Sequence, residues 1–282
     1  MKQKIINIEQ AEYWNKISGP KWVKVDDSLN ERFSLLTSEL FSRANITKDD
    51  KVLDIGCGGG ETSFRASKLV GPGGQVIGAD ISETLLNFAK SKFASRNNIH
   101  FNICDVQNYK FEADNFDKVI SRFGVMFFEN PVKAFKNIML SMKKSASLHF
   151  VCWSNIIENE FFYEGLEIIE KYTNKKLPPI TRNPGPFAFS EERYVEKILK
   201  KSGFQNIKIN TVYTSIDTND SVEKDTEILL SIGPRAKLLS EASLSEEKLL
   251  ALRNYVKELC KKRKNNGKII YKACLHYVSA IK

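Results

Sequence analysis

The 282-residue sequence contains no run approaching the roughly 18 to 20 apolar residues that cross a bilayer, so no membrane span is expected. Its start, Met1-Lys2-Gln3-Lys4 followed by Ile5-Ile6-Asn7-Ile8-Glu9, lacks the apolar stretch and cleavage site of a secretory signal, which points to the cytoplasm. Cysteines are few and never form C-x-x-C: Cys57, Cys104, Cys152, Cys260 and Cys274 stand far apart, which argues against a disulfide framework or a zinc site. They read as free, buried thiols. Only three histidines occur, His100, His149 and His276, all on expected strands, and each reads better as structural than as catalytic. Acidic residues are in deficit, 34 against 43 Lys and Arg, for a net charge of +9. That balance raises nucleic acid as a partner. The lysines are scattered over helix faces, however, and the one dense run, Lys261-Lys262-Arg263-Lys264, ends a helix, where positive charge suits the helix dipole. Repeats and low-complexity tracts are absent as well.

What is present is alternation. From residue 50 to about 153, strands and helices follow one another in the pattern of a parallel sheet covered on both faces. Lys51 to Ile55 reads as the first strand and 75–80 as the second, after the break at Gly71-Pro72-Gly73-Gly74. Residues 98–104, 116–121 and 147–153 read as the third to fifth strands. Ser82 is the expected N-cap of one helix, and Pro131 opens another over 131–142. Helices are also expected over 29–43, 159–172 and 191–201, and through most of 220–265 with a break at Gly233-Pro234. Strands are expected over 204–216 and 268–281.

The first strand runs into Val52-Leu53-Asp54-Ile55-Gly56-Cys57-Gly58-Gly59-Gly60. Glycines at 56, 58 and 60 permit a tight turn and let the backbone approach a ligand, while the next helix start offers free N–H donors. Asp80, at the tip of the second strand, is placed to accept from two ribose hydroxyls. A dinucleotide site competes with this reading, but its G-x-G-x-x-G fingerprint needs a small residue where this chain has Glu61. Asp54 would repel a pyrophosphate and suits the cationic ammonium and sulfonium end of S-adenosyl-L-methionine.

These residues resemble class I S-adenosylmethionine-dependent methyltransferases of the ubiquinone-biosynthesis type. Val52 to Gly60 looks like the family's first motif, Asp80 like its ribose acid, and Cys104-Asp105-Val106 like its adenine segment. In that segment the aspartate accepts from the adenine amino group and the next N–H donates to a ring nitrogen. Ser121-Arg122-Phe123-Gly124-Val125-Met126-Phe127-Phe128 resembles the stretch lining the transfer site. The resemblance implies an α/β fold with a Rossmann-like, seven-stranded, mostly parallel sheet, helices on both faces, an antiparallel last strand and helical cap insertions. The family's Leu-Lys-Pro-Gly-Gly turn before the fifth strand is replaced here by Met142-Lys143-Lys144-Ser145-Ala146.

The expected organisation is an N-terminal helical lid (1–45), a cofactor-binding core (46–153), substrate-cap insertions (154–190 and 220–265) and the remainder of the sheet (191–219 and 266–282). Expected cofactor contacts are Asp54, Gly56, Cys57, Gly58, Gly60, Thr62, Asp80, Ile81, Asp105, Val106, Ser121, Arg122 and Phe123. Expected substrate contacts are Tyr13, Trp14, Trp22, Phe127 and Trp153. The implied reaction moves a methyl group in line to a small-molecule acceptor and leaves S-adenosyl-L-homocysteine; an RNA acceptor or a non-catalytic cofactor-binding protein is the alternative. No residue stands out as a general base and no metal is expected. A homodimer is the assembly considered.

Overall fold

The computed structural model describes residues 4–282; residues 1–3, the tip of the expected lid, lie outside the described residues. Five parallel strands form the centre of the sheet: β1 (Lys51–Ile55), β2 (Gln75–Asp80), β3 (Ile99–Ile103), β4 (Phe116–Arg122) and β5 (Met142–Trp153). Two long strands follow, β6 (Gln205–Thr218) and β8 (Lys268–Ile281), with the two-residue β7 (Lys264–Asn265) pairing on β8. The order is β3-β2-β1-β4-β5-β8-β6, and β8 runs antiparallel to both neighbours. This is the expected Rossmann-like architecture with one reversed strand. The order reverses between β1 and β4, the switch point at whose carboxyl end open α/β sheets bind ligands.

The helices are α1 (Ile8–Glu12), α2 (Gly19–Lys24), α3 (Asp26–Arg32), α4 (Ser34–Ala44), α5 (Glu61–Val70), α6 (Glu83–Lys92), α7 (Pro131–Ser141), α8 (Glu160–Tyr163), α9 (Leu166–Thr173), α10 (Glu192–Ser202), α11 (Val222–Ser231), α12 (Gly233–Ser240) and α13 (Glu246–Lys262). Strand alternation divides the core. Val52, Val76 and Ile120 pack with Ala44 of α4 and with Ala66 and Val70 of α5. Their neighbours Leu53 and Val119 join Phe135 and Ile138 of α7 and Val195, Ile198 and Leu199 of α10. Helix starts follow local chemistry. Ser82 accepts from the Leu85 amide, and Asn130 accepts from Lys133 ahead of Pro131.

Three elements differ from the sequence reading. The helix expected over 29–43 is two helices meeting at Phe33, whose ring sits edge-on to Phe123 and Trp153 at 5.4 and 5.8 Å. The helix expected over 159–172 breaks at Glu164, which is extended, and Gly165, at φ +73°. The fifth strand begins at Met142, well before 147. The segment replacing the family's turn joins the ladder through a bulge, with Ser145 at φ +65° and the register shifting between Phe116 and Lys118.

Helix α11 is tied to α3 by a buried ion pair. The Arg32 guanidinium lies 2.5 Å from Asp225, both side chains fully buried, and Tyr271 of β8 donates to the same carboxylate. Among the described residues no helix is long and apolar enough to cross a membrane.

Candidate active site

The carboxyl ends of β1, β2 and β4 open into one pocket with about 1490 Å³ of atom-free space, its mouth included. The turn after β1 forms its floor. Gly56 (φ +64°) packs so tightly on the turn after β4 that a Cβ would stand 2.6 Å from the Gly124 Cα. No side chain larger than hydrogen fits between these two backbones. Asp80 pins the glycine turn: its Oδ2 accepts from the Gly58 amide at 2.8 Å, and its Oδ1 accepts from the Ser82 amide at 2.8 Å. Each oxygen keeps a second lone pair, so the carboxylate can still accept twice. Burial pushes its pKa up, and the backbone amides of Ser82 and Gly58 oppose that rise.

Of the expected cofactor contacts, Gly56, Cys57, Gly58, Thr62, Asp80, Ile81, Asp105, Val106, Arg122 and Phe123 line the pocket; Asp54, Gly60 and Ser121 do not. Asp54 is fully buried under the start of α5, where its Oδ2 accepts the hydroxyls of Thr62 at 2.5 Å and Ser63 at 2.7 Å. It does not line the pocket, and its Oδ1 has no hydrogen-bond partner among the described residues. Gly60 starts α5 at φ +85°, and a Cβ there would meet Phe101, Ala89 and Phe93. Ser121 donates to the Ile55 carbonyl and accepts from the Gly124 amide, clamping the two turns together.

Asp105 lines the pocket, but its carboxylate is already filled. Oδ2 accepts from the Ile6 and Asn7 amides at 3.1 and 2.8 Å, and Oδ1 accepts from the Gln107 backbone and side chain at 3.0 and 3.2 Å. A carboxylate offers about four lone-pair positions, so the expected acceptance from an adenine amino group has no vacancy while this strap is docked. The strap continues through Asn7, which donates to the Phe127 carbonyl, to Trp14, whose carbonyl accepts from Ser82 Oγ.

Arg122 enters the pocket from the end of β4, donating to Thr37 Oγ1 at 2.8 Å and Asn30 Oδ1 at 2.6 Å. Burial lowers its pKa to about 10, resisted by Asp54 and Glu61, so it stays charged at neutral pH. Phe123 holds a left-handed backbone (φ +63°) that side chains seldom adopt, and its ring stacks on Trp153 at 4.4 Å and 2°. The five expected substrate contacts, Tyr13, Trp14, Trp22, Phe127 and Trp153, all line the same pocket. Trp14 meets Phe127 edge-on at 5.2 Å and Trp22 at 5.5 Å.

Sequence reasoning missed several wall residues. Phe33, Phe161, Phe162, Pro186, Ile232 and Gly233 close the apolar side, and Asp26 and Asn30 add polar groups. The apolar ones look like ordinary core positions in the sequence. Asp26, beside Asp27 at a helix start, looks like a dipole-capping acid. Among the described residues no histidine lines the pocket. His149 lies elsewhere, where burial lowers its pKa to about 4 with help from Lys118 and Arg43. The pocket thiols Cys57 and Cys104 are pushed up by burial and are not thiolates.

The fold and the site define a class: an α/β domain whose switch-point pocket joins a glycine turn to a ribose-type acid. Residues 46–185 match the model of the family described as methyltransferase domain. That match spans just under half of the chain, which over this stretch is similar to methyltransferase domains. It is similar to the demethylmenaquinone methyltransferase of Staphylococcus epidermidis, 33% identical over 113 residues. That match covers 40% of this chain and 47% of the relative, so it spans about half the relative's length. A solved S-adenosylmethionine-dependent methyltransferase from Aquifex aeolicus is 21% identical with TM-score 0.52, covering 70% of this chain and 93% of that one. Haemonchus contortus phosphoethanolamine N-methyltransferase 2, solved with S-adenosyl-L-methionine, is 19% identical with TM-score 0.52, covering 88% of this chain and 52% of that one. Both structures share the fold.

Proposed function

We propose that the protein transfers the methyl group of S-adenosyl-L-methionine to a flat, largely apolar small molecule of the quinol or phenol type. One observation carries the acceptor class. Beside the glycine turn, Phe123 lies flat on Trp153, while Phe33 and Phe162 meet that stack edge-on at 5.4 to 5.8 Å and 4.9 Å. Such a box takes a planar ring by offset or edge contacts. The similarity to a demethylmenaquinone methyltransferase supports the same class.

The donor set fits the cofactor. Asp80 has two acceptor positions left for ribose hydroxyls, the glycine turn presents backbone without side chains, and Val106 lines the expected adenine end. The sulfonium supplies an electrophile already activated by its charge. The protein's part is then positioning: the two clamped turns hold one wall, the aromatic box orients the acceptor ring, and the apolar lining excludes water. An ionised phenol supplies its own nucleophile: its oxygen takes the methyl group, or its ring carbon does and then loses its proton to solvent as the ring rearomatises, and S-adenosylhomocysteine leaves.

The segment 4–44 acts as a lid, and 154–190 with 220–265 as a cap, since each contributes wall residues. An RNA acceptor draws little support from the basic run. Lys261 is paired with Glu258, and Arg263 with Glu160 and Glu164. The buried free thiols suit the cytoplasm.

Incubation with labelled S-adenosylmethionine and fractionated metabolites is expected to label an apolar aromatic fraction. Label in RNA alone would overturn the acceptor class. Asp80→Ala should weaken S-adenosylhomocysteine binding by about 1 to 3 kcal/mol in calorimetry; unchanged affinity would displace the ribose from this acid.

A further inference from the structure

The pocket holds two opposite charges that do not bond each other. Asp26, at the start of α3, reaches over the glycine turn: a Cβ on Gly59 would stand 2.4 Å from its Oδ1. Its Oδ2 is held by Lys92 at 2.7 Å, while its Oδ1 has no hydrogen-bond partner among the described residues. The side chain is 15% exposed, and the residue lines the pocket. Arg122 lines the same pocket and spends one N–H on Thr37 and one on Asn30, one helix turn beyond Asp26. A guanidinium has five N–H donors, so Arg122 keeps three beyond these two bonds, and its Nε, which has no partner, is not among the buried unpartnered atoms. Asn30 also leaves its Nδ2 buried and unpaired at this wall.

We propose that Asp26 and Arg122 are a receptor for an α-amino acid zwitterion: the Asp26 carboxylate accepts from the α-ammonium of the cofactor's methionine part, and the Arg122 guanidinium donates to its α-carboxylate. This rests on the reading of S-adenosylmethionine as the ligand. Three features favour it. The spare carboxylate oxygen sits against the glycine turn, where the amino acid end must pass. The acid of the first motif, Asp54, is fully buried, does not line the pocket and has its Oδ2 taken by two hydroxyls, which leaves Asp26 as the carboxylate that meets the turn from the pocket side. Two opposite charges that line one cavity without bonding each other, one with a spare carboxylate oxygen and the other with spare N–H groups, leave room for a ligand bearing both signs, and in a poorly solvated site each charge-assisted bond is stronger than a neutral one. Since Asp26 belongs to the segment before the core, ligand loading fastens α3 onto the turn, and the acceptor box begins one helix turn further at Leu29 and Phe33.

The test is calorimetry on the intact protein with two probes that share adenosine and a thioether. S-Adenosylhomocysteine carries the zwitterion, and 5′-methylthioadenosine does not. The wild type should prefer S-adenosylhomocysteine by about tenfold or more, and Asp26→Asn should lose about tenfold for it while changing methylthioadenosine by less than about twofold. Lys92→Met removes the ion-pair partner yet keeps the carboxylate, and should leave S-adenosylhomocysteine affinity within about threefold. Arg122→Lys, which keeps the charge next to Asp54, should erode the same preference through the lost fork geometry. If the wild type binds neither probe, the cofactor reading fails and takes this inference with it. If it binds S-adenosylhomocysteine and Asp26→Asn alters nothing, or weakens both probes alike, the receptor is overturned while the cofactor reading stands. An equal loss in Lys92→Met would assign Asp26 to shaping the turn and would also overturn it.

Discussion

Asp54 marks the motif by its place before Gly56, but strand alternation sends its side chain beneath α5, where two hydroxyls fill Oδ2 and Oδ1 has no partner. Burial raises its pKa from 3.8 to about 6. An acid whose folded pKa lies above its unfolded value binds its proton more tightly in the native state, so it stabilises the fold below pH 3.8 and loses that contribution as pH rises to about 6. Roughly 3 kcal/mol is at stake over this window at 1.36 kcal/mol per pH unit. Asp54→Asn, which cannot ionise, should therefore be relatively more stable against urea at pH 7 than at pH 4. A wild-type-to-variant difference that stays constant across this range would mean that Asp54 titrates normally. Asp80 and Asp26 were legible to different degrees for a related reason. An acid at a strand tip after a glycine turn has few other uses, whereas an acid at a helix start has an ordinary one.

The elements divide in the same way. The parallel strands were legible because buried strands read as short apolar runs closed by glycine, as in Val52-Leu53 before Gly56. The breaks at Phe33 and Gly165 were not, since helical periodicity continues through both, and it is the tertiary fit of Phe33 against Trp153 that decides. Nor could sequence pair Arg32 with Asp225, the contact that fastens α11 to α3. Arg32 Nε and Nη1 have no partners, and Phe161 and Tyr271 lie under the guanidinium at 5.0 and 5.9 Å. The Asp225 carboxylate is thus the main compensation for a buried charge. Asp225→Ala should cost about 3 to 5 kcal/mol in urea unfolding. Asp225→Leu combined with Arg32→Met should recover much of that, because it removes both charges of the pair and leaves Asp220, 3.6 Å from the guanidinium, with Lys224 as its partner. A double variant no better than Asp225→Ala would locate the cost in packing around Tyr271.

At the scale of the whole molecule, the pocket is assembled from residues inside and outside the stretch that matches the family model. The family match, 46–185, contains the glycine turn, Asp80, Arg122, Phe123 and Trp153, whereas Asn7, Asp26, Phe33, Ile232 and Gly233 lie outside it. Both parts meet at each end of the pocket: Phe123, Trp153 and Phe162 of the aromatic box lie in the matched stretch, and Asp26, against the glycine turn, lies outside it. Binding to the native state alone stabilises it by about 2.7 kcal/mol at a ligand concentration a hundredfold above Kd, and where that protection appears reports which parts a ligand touches. S-Adenosylhomocysteine should slow amide hydrogen exchange in the β1 turn and in α2 and α3, which carry Trp22 and Asp26. It should leave α12 nearly unchanged, because Ile232 and Gly233 border the aromatic box and not the glycine turn: a Cβ on Gly233 would touch the Phe162 ring at 3.2 Å. Adding a planar quinol or phenol should then protect α12 as well. If S-adenosylhomocysteine alone protected α12 as strongly as α3, the two halves of the pocket would be one ligand site, and the cap would serve the cofactor rather than the acceptor.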